Sequence, residues 1–80
     1  MNSHRQSLQE CTRDTIHQYL NNMKGHQAQN LHAYIMDEIE KGLIREVLQF
    51  TAGHLSQSSK ILGITRTTLR NKIRKHQLLD

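Results

Sequence analysis

The stretch Ser56–His76, SQSSKILGITRTTLRNKIRKH, limits what this chain can fold into more than any other. It reads as two short helices broken at Leu62-Gly63-Ile64. The Ser56 hydroxyl can accept a bond from a free backbone N–H of a first turn, so the first helix is expected to start there. That helix would turn Ser58, Ser59, Ile61 and Leu62 toward a packing partner. Gly63 follows the last apolar residue, where left-handed backbone ends a helix without a Cβ clash. Thr65 then caps a second helix, with Leu69 and Ile73 four residues apart on one face. Arg66, Thr67, Arg70, Asn71, Arg74 and Lys75 lie opposite. The pair makes a helix-turn-helix, one side for packing and the other for something negatively charged.

Charge follows the same division. Between Ala52 and Leu79 there are six Lys/Arg and no Asp or Glu, whereas residues 1–51 hold five basic and six acidic side chains. The net charge of +4 is therefore a property of the C-terminal third. A one-sided basic helix pair is the electrostatic footprint of nucleic-acid binding. A solvated basic helix on an ordinary small domain would account for the charge alone, but the helix-turn-helix spacing argues against it.

The rest of the chain reads as the support for that unit. Residues 1–7 are polar and expected to be disordered. From Leu8, apolar residues recur at helical spacing through Cys11, Ile16, Tyr19 and Leu20 to about Met23, and Lys24-Gly25 ends the pattern. Asn30 is the expected N-cap of a longer helix over about Leu31–Phe50. Leu31, Ile35, Ile39 and Leu43 form an i, i+4 ridge on it, while Tyr34, Met36, Ile44, Val47, Leu48 and Phe50 occupy other sides. A helix apolar on more than one face is buried on more than one face. With 80 residues, 35% of them hydrophobic, and a single Cys, neither a large core nor a disulfide is available. Another subunit is the remaining staple. Residues 8–51 are thus expected to be dimerisation helices, with Leu31, Ile35, Ile39, Gly42 and Leu43 at the interface and 52–80 as the helix-turn-helix region. Gly42 in mid-helix costs about 1 kcal/mol relative to Ala. It permits a close crossing at the dimer axis or a bend, or is simply tolerated.

Little in the chain points to catalysis. The six His residues form no H-x-H or H-x₃-H pair, and Cys11 has no second Cys with which to build a zinc site, so no metal or cofactor is expected. Cys11 reads as a small core residue. Asp37, Glu38 and Glu40 cluster, but acid–base work needs a pocket, and Glu38 and Glu40 beside Lys41 and Arg45 read as a solvated face. The N-terminus has no apolar signal core and no run is long enough to span a bilayer, so a soluble cytosolic protein is expected.

The tract Leu31–Leu79, above all EIEKGLI and VLQFTAGHLSQSSKILGITRTTLRNKIRKH, resembles the Fis (factor for inversion stimulation) family of bacterial nucleoid proteins. The likeness runs without gaps back to Leu8. The G-I-x-R-x-T-L-R-x-K tract is shared with the C-terminal DNA-binding domain of nitrogen-regulator-type activators, and the start at Met1 favours the former. The resemblance implies an all-α homodimer of four-helix subunits, with intertwined central helices and a C-terminal helix-turn-helix. It further implies binding to double-stranded DNA at degenerate A/T-centred sites, DNA bending, transcription regulation and nucleoid organisation in the cytoplasm. If two recognition helices lie closer than one DNA turn, about 34 Å, the duplex must bend to accept both.

Carried over by position, Arg66 would read a guanine edge through O6 and N7. Thr68 and Arg70 would hold phosphate or nearby base edges, Lys72 phosphate, and Ser56 the backbone. His54, Thr65, Asn71, Arg74 and Lys75 complete the expected DNA-facing set. Thr65, His54 and Asn71 stand where well-known members have Asn, Asn and Lys, Ala52 replaces an Arg, and Gly42 stands where a proline often kinks the long helix. The chain has little of the N-terminal extension whose arms contact recombinases, which argues against that contact. A helical protein-interaction module with a basic docking face is the competing class; the clustering of Thr and Arg after the glycine turn favours DNA. No exposed aromatic platform supports RNA.

Overall fold

A computed structural model describes residues 6–23 and 30–78. Four helices follow one another, α1 (Leu8–Met23), α2 (Leu31–Phe50), α3 (Leu55–Leu62) and α4 (Arg66–His76), and the described residues contain no strand. The all-α, four-helix expectation holds. Residues 24–29, where the sequence places the first interhelix turn, lie outside the described residues, as do residues 1–5 of the expected unordered tail. The chain divides into two compact units, 1–31 and 32–80, so α2 beyond its first residue belongs with the helix-turn-helix.

In the first unit, α1 begins at a reciprocal cap. Ser7 Oγ accepts from the Glu10 backbone N–H at 3.0 Å, and the Ser7 N–H donates to Glu10 Oε1 at 3.2 Å. This is the S-x-x-E capping box, so Ser7 belongs to the helix entry and not to an unordered tail. Cys11 is exposed, contrary to its reading as a core residue. On the same helix Leu8 is 84% and Leu20 44% exposed, while Ile16 and Tyr19 are half-buried. Asn30 has φ 56, left-handed backbone and not the extended conformation of an N-cap.

The second unit has a thin core. Ile44 and Leu48 of α2 are buried with Leu69 and Ile73 of α4, and Leu55, Leu62, Ile64 and Leu78 pack around them. Each such aliphatic side chain stabilises by about 1.5–3 kcal/mol on burial. α3 is seated by a buried hydroxyl pair: Ser58 Oγ lies 2.7 Å from Thr51 Oγ1, which in turn donates to the Leu48 carbonyl at 3.3 Å. Ser58 and Ser59 are buried as expected, because small residues let α3 approach closely. Ile61 is not; one residue before Leu62, it is turned about 100° away and is 51% exposed.

The opposite stripe of α2 is left uncovered. Ile39, Leu43 and Phe50 are 46%, 52% and 79% exposed, and Gly42 lies open on the same side. Two apolar faces are expected on this helix; among the described residues of its own unit, the face with Ile44 and Leu48 finds a partner. No described helix is long and apolar enough to cross a membrane.

Candidate nucleic-acid interface

Three turns position the helix-turn-helix, and two of them follow the sequence reading. Gly63 has φ 75, and its N–H and that of Ile64 close on the Lys60 and Ser59 carbonyls at 3.2 and 3.1 Å. This paired arrangement ends α3 in a left-handed residue. Thr65 caps α4 from extended backbone, its Oγ1 accepting from the Thr68 N–H at 3.0 Å. Its hydroxyl also donates to Thr68 Oγ1 at 2.9 Å. The third turn differs. α3 starts at Leu55 with His54 as N-cap, and His54 Nδ1 accepts from the Gln57 N–H at 3.2 Å. An imidazole with its proton on Nε2 can accept as a Ser or Asn side chain does, so Ser56 is freed from capping.

That shift gives Ser56 another task. Its Oγ accepts from the guanidinium of Arg66 at 3.2 Å, across the turn between the two helices. The contact holds the first side chain of α4 over the N-terminal end of α3. Along α4, Arg66, Arg70, Asn71, Arg74 and Lys75 are exposed, and Thr68 is half-buried. Arg74 donates to Asn71 Oδ1 at 3.4 Å, which tethers two of the exposed polar groups to each other. Placing Arg66 in the first turn, at the positive end of the helix dipole, costs about 0.3–1 kcal/mol with no anion present. A polyanion lying across this end removes that cost.

Lys72 turns away from the free face, whereas Lys75 is exposed but also has a carboxylate partner on α2. Lys72 Nζ sits 2.6 Å from Glu40 Oε2, and Lys75 Nζ 3.4 Å from Asp37 Oδ1. His76 Nε2 reaches the second oxygen of Glu40 at 2.8 Å, with its side chain only 3% exposed. The hydrogen bond from Lys72, then that from His76, holds the Glu40 carboxyl below the usual carboxylate range. The solvated face expected for Glu40 is thus not where it lies, and His76 enters the site without a sequence signal for it. For the carboxylates the signal was present in register: Asp37 and Glu40 lie seven and four residues before Ile44, on the face of α2 that carries Ile44 and Leu48. Glu38, by contrast, does lie on a solvated face, paired with Lys41 at 3.2 Å.

A short α3, a left-handed glycine turn and a basic α4 seated on α2 define a helix-turn-helix protein. The family described as bacterial regulatory protein, Fis family, matches residues 35–76, just over half of the chain. The chain is 32% identical to the DNA-binding protein Fis of Buchnera aphidicola (subsp. Acyrthosiphon pisum, strain 5A), over 92% of this chain and 76% of that one. It is 31% identical to a putative Fis-like DNA-binding protein of Ralstonia nicotianae, covering 94% of this chain and 97% of the relative. Fis of Proteus mirabilis is 32% identical over 95% and 82%. The chain belongs to the Fis family of bacterial regulatory proteins, a family of regulators and not of enzymes.

Proposed function

We propose that two copies of this chain bind double-stranded DNA at degenerate A/T-centred sites, bend it, and thereby regulate transcription and organise the nucleoid in the bacterial cytoplasm. One observation carries the reading. Arg66, Arg70 and Arg74 line an exposed face of a capped helix, in a region with no acidic residue between Ala52 and Leu79. Relatives named as DNA-binding proteins support it. Arg66 reads a guanine edge in the major groove, oriented by Ser56. Arg70 and Arg74, with Thr65, Thr68, Asn71, Lys75 and the N-terminal turn of α3 at His54 and Ser56, hold phosphates. The exposed Ile39, Gly42 and Leu43 of α2, with the half-buried Leu31 and Ile35, receive the second copy, and the two recognition helices then curve the duplex between them.

Gel mobility of circularly permuted, A/T-centred duplexes tests binding and bending together. Retarded complexes whose mobility depends on the position of the site support the reading. Unretarded duplex at micromolar protein in dilute buffer overturns it, and so does a single folded subunit by sedimentation at that concentration. Arg66→Ala should weaken guanine-containing sites most. Arg74→Ala should weaken every sequence alike and lower the salt slope by about 0.9 per lost phosphate contact.

A further inference from the structure

Resting on that DNA-binding reading, we infer that Glu40 is a positioning residue for DNA recognition, gripping the C-terminal part of α4 through Lys72 and His76 without touching DNA. Both carboxylate oxygens are used, one at 2.6 Å from Lys72 Nζ and the other at 2.8 Å from His76 Nε2. Asp37, one turn earlier, adds Lys75 at 3.4 Å. The grip lies at one end of a rod. α4 is 11 residues long, about 16 Å, and its apolar fulcrum is the pair Leu69 and Ile73. Arg66 stands at the far end. Around that pair Leu55, Leu62, Ile64 and Leu78 pack only partly buried, so rocking about it is incompletely opposed. The two hydrogen bonds of Glu40 oppose that rocking, so the carboxylate on α2 sets the tilt of the helix from which Arg66 reaches Ser56.

The same geometry places Lys72 in the support and outside the phosphate-contact set. A phosphate approaching its ammonium would meet the negative charge of a carboxylate already 2.6 Å from it, whose other oxygen is held by a nearly buried imidazole. A metal site is the rival use of these groups, since ligand atoms of Asp37, Glu40 and His76 lie within 4.8 Å of one another. The ammonium groups of Lys72 and Lys75 already neutralise both carboxylates, so a cation would enter against like charge.

The sign of the effect separates positioning from charge. Removing any carboxylate from a protein that binds a polyanion should raise affinity for every duplex, because one repulsion is lost. Glu38→Gln supplies that control: Glu38 is on the same helix, exposed and paired with Lys41. Glu40→Gln makes the same charge change at the grip. The assay is binding of each variant to a guanine-bearing A/T-centred duplex and to a random duplex, with helix content checked by circular dichroism. Glu38→Gln should leave the ratio of the two affinities unchanged. Glu40→Gln should lower that ratio about tenfold, within the range of roughly 5- to 150-fold spanned by one bidentate base contact. Glu40→Asp, which keeps the charge, should restore most of it. Lys72→Gln should leave the salt slope unchanged, where a phosphate contact would drop it by about 0.9; this variant decides the matter if Glu40→Gln does not fold. A Glu40→Gln protein that behaves like Glu38→Gln, or a reduced slope for Lys72→Gln, overturns the inference while DNA binding by the parent stands. No binding by the parent overturns both.

Discussion

Replacing Gly63 by Ala isolates one backbone term, because a Cβ built there meets nothing within 4 Å. What remains is the left-handed conformation at φ 75, which costs an L residue about 1–2 kcal/mol. Part is offset, since Ala restricts the unfolded chain more than Gly by about 0.4–1 kcal/mol. The net loss is about 1 kcal/mol, or about 4–8 °C in Tm for a domain of this size. The chain contains its own counter-experiment. α2 and α4 end in the same paired carbonyl contacts, with Ala52 at φ 54 and Gln77 at φ 55 in the left-handed place. Ala52→Gly and Gln77→Gly should therefore each gain about 1 kcal/mol. The three sites end three different helices, and their effects should add within about 0.5 kcal/mol. Thermal melts followed at 222 nm, at one fixed protein concentration, read all three. A Gly63→Ala protein with an unchanged Tm, or an Ala52→Gly protein that melts lower, refutes the reasoning.

Leu69→Ala removes a side chain with 0% exposure from a core of four buried apolar residues, and should cost about 2–5 kcal/mol in urea unfolding. Gly42→Ala adds a methyl to open space within the subunit. In a dimer that crosses closely at this glycine it should raise the dissociation constant measured by sedimentation; a uniform gain of about 0.5–1 kcal/mol without that change would put the crossing elsewhere. Acid should weaken the α2–α4 grip. The Glu40 carboxyl is held low in the folded state by Lys72 first and His76 second, so its contribution is present above the ordinary carboxylate pKa and lost as pH falls through the lowered one. Parent and Glu40→Gln melting curves should accordingly converge as pH drops below the carboxylate range, and parallel curves would refute the assignment.

Local signals in the sequence carried most of the fold. Gly63 and Thr65 mark the turn because a left-handed residue and a hydroxyl cap are each chemically demanding, and both sit where expected. The α3 start was displaced because Ser56 is the more usual cap, and an imidazole accepting through Nδ1 leaves no composition signal. The capping box is legible in S-x-x-E, although its Ser7 half falls at the end of the polar residues 1–7. What could not be read locally was pairing between helices. Glu40 meets Lys72 and His76 across 32 and 36 residues, and its neighbours Lys41 and Arg45 made a solvated face the simpler assignment. Ile44 and Leu48 were seen as a second apolar side of α2, yet which side meets α4 is decided only once α4 is docked.

The bare stripe on α2 has a consequence for dosage. If, as proposed, a second copy covers it, a lone chain is the form that carries Ile39, Leu43 and Phe50 in water, and pairing would be driven by hiding them. Occupied sites would then grow with the square of chain abundance until pairing saturates. A twofold rise in synthesis would be felt on the chromosome as about fourfold, steepness obtained with no effector and no shape change.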